Sequence, residues 1–303
     1  MNGSPSTPNT GEVVRHFTGV GASAIAAVLW GFGGIFAKLC SAPGLVLTFY
    51  RLWIGAALFV ALTYGSHRRL TWKTIRVSWL GGVFFAGDMA LFFSAVKLTS
   101  VAIASVIGAF QPALVLLIAR PLFGERMKRR DIAWMLLAVA GVAATVVGSK
   151  ATGHNEAFGD LCAVGSLICW VGYWLVSKSV RQHHEAMEYT TGVTITAAVI
   201  LTPIVLLSNQ SLGGVTVSAW FWIVMLAVVP GSGHLLMNWA HRHVDASVSS
   251  AIGNLNALVA SLAAIPILGQ LLTVTQLIGV FVGLAAITKI AISHRTSISA
   301  SLN

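Results

Sequence analysis

Charge is what this sequence has least of. Only 9% of its 303 residues are Asp, Glu, Lys or Arg, whereas soluble domains carry about 25%. A chain so poor in charge cannot cover a surface that faces water. Cysteine is also scarce. Cys40, Cys162 and Cys169 are an odd number at scattered positions, so neither a disulfide framework nor a zinc pattern follows. They read as small buried apolar side chains. No glycine-rich phosphate loop occurs, which excludes pumping by ATP hydrolysis in this chain. No segment between the apolar runs could hold a soluble domain. Any chemistry must therefore happen among the apolar segments or in short loops. No cofactor and no metal site is implied. Residues 1–17 are polar, carry Arg15, and contain no short apolar segment with a cleavage site. We therefore expect an uncleaved first helix.

What is present is apolar: 56% of the residues are hydrophobic. The runs are continuous and about 20 residues long, as a membrane-spanning helix requires; barrel strands need about 9–11 residues and alternate. Inside a bilayer the backbone must satisfy its own hydrogen bonds. Hydropathy marks ten spans, at 18–39, 44–64, 77–97, 100–119, 131–148, 158–178, 187–208, 218–240, 246–267 and 273–291. The expected fold class is an all-α integral membrane protein.

The basic residues set its orientation. With the N-terminus in the cytoplasm, all of the 19 except Lys38, Arg51, Lys97 and Lys150 fall on cytoplasmic segments. The positive-inside rule then places both termini in the cytoplasm. The net charge of +10 is accounted for in the same way. A nucleic-acid face would gather those charges on one soluble domain with stacking aromatics, so no nucleic-acid partner is expected.

The two halves resemble each other. Shifted by 140, Trp30 falls on Trp170 and Lys38 on Lys178. Shifted by 145, Ser105, Ile107 and Gly108 fall on Ser250, Ile252 and Gly253, and Pro121 to Gly124 fall on Pro266 to Gly269. Shared polar, proline and glycine positions at one shift argue for a repeat. The division is a tail 1–17, a first five-helix repeat 18–148, an outer linker 149–157, a second repeat 158–291 and a tail 292–303. An odd number of spans per repeat inverts one half relative to the other, a recurrent plan of transporters.

The same residues resemble the drug/metabolite transporter superfamily, in particular its ten-helix EamA exporters. Trp30-Gly31 followed by Lys38 is similar to that family's first-helix pattern, and Arg51 to its second-helix segment. Phe93, Ala95, Leu98, Thr99-Ser100 and Ala104-Ser105 resemble its helix three to four junction. Pro112, Gly124-Glu125-Arg126, Gly159-Asp160, Trp170 and Tyr173 follow in order. The resemblance covers nearly the whole chain. It implies a basket of helices around a central cavity, with helices five and ten peripheral. It also implies efflux of small organic metabolites; exporters of amino acids, aromatic ones included, belong to the group. The second half departs from the pattern: Ala257 stands where the ninth helix usually has proline, which implies a straighter helix, and Gln270 replaces the counterpart of Glu125.

Polar residues inside spans are the candidate site. Asp88 is the only carboxylate deep in a span; keeping it ionised at mid-bilayer costs about 2.5–3.5 kcal/mol on insertion scales. It reads either as a proton-coupling site or as a protonated acid bonded to a neighbouring helix. His234 falls at the position equivalent to Met89, so the repeat brings it to a similar depth. It is a ligand or proton-sharing group, or a histidine bonded between helices. Ser247, Ser250, Asn254 and Ser261 share a helical face, with Asn256 about 200° from Asn254. They line a cavity or pack helices closely. Trp30, Trp170 and Tyr173 sit deep enough to wall a cavity for an apolar or aromatic ligand. Gln111 and Asn238 complete the substrate-binding candidates. Arg51 reads as snorkelling to the outer interface or pairing within the fold. The loop histidines, His241 among them, read as solvated. Gly31, Gly33 and Gly34 permit bending or close packing.

These features point to a secondary transporter of the cell inner (plasma) membrane, working by alternating access with spans one, three, four, six, eight and nine around its cavity. Its partners would be a small-molecule substrate, the lipid bilayer and protons. An uncoupled facilitator or a sugar or nucleotide exchanger is the alternative within transport. An intramembrane lipid-modifying enzyme would need clustered acids or a metal, and no catalytic residue is assigned.

Overall fold

The computed structural model describes residues 10–98, 107, 108, 110–124, 129–147 and 156–268, with 274, 278, 279, 281–283, 285, 286, 288 and 289 beyond them. The C-terminal tail, most of the linker and about half of the tenth span lie outside the described residues, as do Ser105 and Glu125. Among the described residues all regular structure is helical. In chain order the helices are α1 (Thr10–Leu39), α2 (Gly44–Gly65), α3 (Trp72–Leu98), α4 (Gln111–Phe123) and α5 (Arg129–Val147). Then come α6 (Glu156–Val180), α7 (Ala186–Leu207), α8 (Val217–Ala240), α9 (Ala246–Gly253) and α10 (Leu255–Leu268). Six of them, α1, α2, α3, α6, α7 and α8, are long and apolar enough to cross a membrane.

Local sequence sets several helix ends. Thr216 caps α8, its hydroxyl accepting from the Ala219 N–H at 3.2 Å. Pro43 precedes α2, and Pro112 sits in the first turn of α4, where the missing N–H has no intrahelical partner to lose. Gly124 closes α4 with φ +68°, a left-handed conformation that glycine adopts without a Cβ clash.

The helices pack most extensively across the two halves of the chain: α1 on α8, α3 on α6, α3 and α2 on α7, and α1 on α10. The main core lies among them and includes Phe85, Phe93, Tyr173, Leu201 and Leu226. Large apolar side chains also face outward, Leu117, Leu161, Ile168 and Leu206 among them. Such a surface suits lipid tails and not water. Trp72 and Trp79 are exposed near the start of α3.

Hydrogen bonds define two ends of the bundle. At one, the Lys97 ammonium donates to Cys40 O at 2.7 Å, the Tyr50 hydroxyl to Leu212 O at 2.9 Å, and Ser41 meets Thr216. At the other, Arg68 and Arg242 converge on Glu185, and Lys178 donates to Val244 O at 2.6 Å. Lys178 thus spends its charge on the chain leading into α9, in addition to standing near its own helix end.

The ninth span corrects one expectation. Lacking the proline, it was expected to run straighter; instead it is interrupted at Asn254, between α9 and α10. There the bonds tighten to i→i+3, from Asn254 N–H to Ala251 O and from Ala257 N–H to Asn254 O. Gly253 and Asn254 are both poor helix formers, the first through backbone entropy and the second through competition from its own amide. Bonds of the same i→i+3 kind run from Phe110 N–H to Ile107 O and from Ala113 N–H to Phe110 O.

Candidate functional site

A cavity of about 160 Å³ lies between the helices, nearer the end marked by Cys40, Lys97 and Thr216. Each wall is one stripe of a helix, with residues three or four apart. α3 supplies Asp88 and Phe92, α6 supplies Ser166 and Trp170, α8 supplies Pro230 and His234, and α10 supplies Asn256 and Ala260. α1 contributes Trp30, Gly33 and Gly34, and α4 contributes Gln111. Two glycines allow the wall to close. A Cβ on Gly31 would stand 2.7 Å from the Val259 Cβ, and one on Gly233 would stand 2.8 Å from the Trp30 indole nitrogen. With glycine at both positions, α10 and the Trp30 ring approach closely.

Arg51 is the cation of this site, and of the two sequence readings the structure takes pairing within the fold over snorkelling to the interface. It is 4% exposed and lines the cavity. The reason lies in α8. Pro230 has no N–H, so the carbonyl of Leu226, four residues earlier, has no helical donor. Arg51 Nε donates to that carbonyl at 3.2 Å. NH1 reaches the Met89 sulfur at 2.6 Å, NH2 lies 3.4 Å from His234 Nε2, and Cζ stands 5.1 Å from the Phe93 ring centroid. The buried charge is held by four neighbours from two helices, α3 and α8.

Asp88 is also 4% exposed and accepts a 2.6 Å hydrogen bond from the Ser166 hydroxyl. It lines the same cavity as Arg51, yet the two are not in salt-bridge contact. Ser166 went unnoticed in the sequence, where a serine in an apolar helix is unremarkable.

His234 stands inside an aromatic cage. Its ring centroid is 5.1 Å from Trp30, 4.7 Å from Phe85, 5.8 Å from Trp170 and 6.2 Å from Tyr173. Trp30 and Trp170, paired by the repeat, meet edge to face at 5.2 Å. Three buried nitrogens on the cavity lining have no protein partner: Trp30 Nε1, Gln111 Nε2 and His234 Nδ1.

Of the predicted residues, Trp30, Asp88, Gln111, Trp170, His234 and Asn254 line the cavity. Asn256 does too; an unbroken helix would turn it away from Asn254, but the break between α9 and α10 turns it back. Tyr173 and Asn238 lie one layer below. The Asn238 amide donates to the Tyr173 hydroxyl and to Thr190 Oγ1, both at 2.9 Å. Here the bundle is closed by aromatic and polar packing: Trp174 donates to Ala246 O and its ring packs 4.7 Å from His241. His241 is fully buried, contrary to the expectation of a solvated loop histidine, because α8 ends against α6. Among the described residues no three His, Cys, Asp or Glu side chains converge as a metal site would need.

The EamA-like transporter family matches the chain twice, at residues 17–147 and 157–292. The chain belongs to the EamA-like transporter family. An uncharacterized transporter of Archaeoglobus fulgidus is 25% identical over 86% of this chain and 92% of its own length. The uncharacterized transporter YwfM of Bacillus subtilis is 24% identical over 92% of this chain and 96% of its own. The aromatic amino acid exporter YddG of Ancylobacter novellus is 28% identical over 62% of this chain and 66% of its own. A solved crystal structure superposes with a TM-score of 0.75 at 20% identity, covering 95% of this chain and 100% of the other, which speaks to the EamA fold alone. The chain is therefore a member of a transporter family, with six helices long and apolar enough to cross a membrane.

Proposed function

We propose that this transporter is a secondary exporter of small organic metabolites, amino acids or drug-like compounds, with aromatic ones among them, and not an enzyme. It works by alternating access in the inner (plasma) membrane. Ten helices, arranged as two inverted five-helix repeats over 18–148 and 158–291 with both termini cytoplasmic, form the machine. The observation that carries this reading is the cavity itself. It is lined by helices of both halves, walled by Trp30 and Trp170, and provided with one buried cation and one buried acid. A dry cavity of ~150 Å³ accommodates benzene, so the present volume of about 160 Å³ suits one aromatic ring.

Two further observations support it. The family matches each half separately. The packing pattern also maps onto itself when the halves are exchanged: α1 on α8 becomes α6 on α3, and α3 on α7 becomes α8 on α2. An inverted pair of repeats behaves in this way, each presenting to one side what the other presents to the opposite side. In the proposed orientation the cavity lies toward the outside and the closed layer at Trp174 and His241 toward the cytoplasm.

Trp30, Gln111, Trp170, His234 and Asn254 bind the solute, Tyr173 and Asn238 support them from below, and Asp88 couples transport to protons. The bond from Ser166 supports a second reading, in which Asp88 joins α3 to α6 and the protein is an uncoupled facilitator. Purified protein in proteoliposomes, assayed with amino acids and aromatic compounds with and without a pH gradient, separates the two. A coupled exporter concentrates its solute only with the gradient, and Asp88→Asn keeps binding but loses that accumulation. Gradient-driven transport surviving in Asp88→Asn would refute the coupling role. No transport across the panel would refute the choice of substrates.

A further inference from the structure

Building on that transport reading, we infer that the cavity recognises its solute through a carboxylate, received at the corner formed by Arg51 and His234. The hydrogen-bond inventory carries the inference. A guanidinium has five N–H donors and no acceptor. In Arg51 three are engaged, by Leu226 O, Met89 Sδ and His234 Nε2. Two remain, one on each terminal nitrogen.

Arg51 also decides the protonation of its neighbour. Because arginine can only donate, His234 Nε2 must accept. The ring proton of a neutral His234 then sits on Nδ1. That Nδ1–H is buried and has no protein partner. The other unclaimed nitrogens on the lining, Trp30 Nε1 and Gln111 Nε2, are donors too. His234 is 6% exposed and Gln111 is 5% exposed, so water does not freely serve them. The unclaimed buried nitrogens of the lining residues are thus all donors, and the lining they share with Arg51 carries its fixed cation. Their complement is an anion with several acceptor lone pairs.

Charge and shape narrow the anion. One guanidinium balances one negative charge, and Asp88 stands on the same lining. A phosphate, at about −1.5 to −2, would bring an excess negative charge beside that carboxyl. A carboxylate brings one charge and two oxygens, the geometry that arginine binds in parallel. Trp30 and Trp170 flank the corner, so the body of the solute is a flat ring. In this arrangement Arg51 and His234 are specificity residues: they decide which aromatic solutes enter.

Three indole compounds test this on the purified full-length protein in detergent: tryptophan, indole-3-propionate and tryptamine. The first carries carboxylate and amine, the second only the carboxylate, the third only the amine. We expect tryptophan and indole-3-propionate to bind and tryptamine to bind at least about tenfold more weakly, the scale of one charge-assisted hydrogen bond. His234→Phe keeps the ring in the cage but removes Nδ1–H, and should weaken indole-3-propionate about tenfold. Arg51→Gln, if folded, should abolish the preference over tryptamine; if it does not fold, the wild-type panel and His234→Phe carry the test. Tryptamine binding as tightly as indole-3-propionate, or no binding by any of the three, overturns the inference. Proteoliposome efflux separates it from the exporter reading. Equal export of tryptamine and tryptophan refutes the carboxylate requirement and leaves the exporter standing. Carboxylate-dependent binding without transport supports the site and refutes the exporter.

Discussion

Arg51 and His241 show how much a single side chain depends on what the fold brings to it. Sequence left Arg51 between the lipid interface and a partner within the fold, and placed His241 in water; both are buried. His241 is the more testable. Burial first, then the nearby Lys178 and Arg181 charges, hold its imidazole well below the ordinary value of 6.5. In the folded protein it is neutral, whereas in the unfolded chain it takes up a proton near 6.5. Below that pH the unfolded state binds more protons, so stability falls as pH drops through and below 6.5 and is flat above it. His241→Phe should flatten this acid-side slope, read as the thermal midpoint in detergent against pH. An unchanged slope would show that other groups carry the acid sensitivity. Asp88 was legible as a candidate because a lone carboxylate in a long apolar run is conspicuous. Its partner Ser166 was not, because serines are common in packed membrane helices.

At the scale of elements, α8 carries the most information. Pro230 frees the Leu226 carbonyl, and Arg51 takes it. Pro230→Ala would supply the missing N–H and return that carbonyl to the helix. Removing an interior proline favours the helix by up to about 3 kcal/mol. We therefore expect a higher thermal midpoint together with slower transport, because Arg51 loses one of its three hydrogen bonds. Full transport in a stabilised variant would show that this anchor is dispensable. The broken ninth span makes the same point. Sequence gave its polar residues a helical face, but a face is defined only while the helix continues. Once it stops at Asn254, Asn256 joins the lining. The stop was latent in Gly253 and Asn254, and the absence of proline at Ala257 drew attention away from it.

At the scale of the molecule, three loops meet at the closed end. Glu185, ahead of α7, binds Arg242 after α8 at 3.0 Å and Arg68 after α2 at 3.6 Å. All three side chains are 40–51% exposed, so the pairs add only about 0–1 kcal/mol each to stability. In the proposed alternating-access cycle the Arg68–Glu185 pair is a latch between the halves, held in place by Arg242, and it parts when the cavity opens at this end. Glu185→Gln should leave the thermal midpoint nearly unchanged. It should lower the solute concentration for half-maximal export from the proposed cytoplasmic side, and flatten the dependence of transport on ionic strength. An unaltered salt dependence would remove the latch.

The sequence alone determined the solvent, the helical class and the family, because each is written in many residues at once. A shortage of charge, repeated apolar runs and ordered motifs survive any local misreading. It also named most of the polar residues on the cavity lining, since polar groups in apolar helices are costly and therefore conspicuous. Only the tertiary structure decided how those groups are used. Arg51 reaches His234 across 183 positions, anchored by a carbonyl that a proline of the same helix, α8, sets free. Trp30 and Trp170 become one wall because both rings pack on His234 of α8 and on each other. Hydrogen bonds and ring contacts act over a few ångströms of space, and sequence separation does not measure that distance.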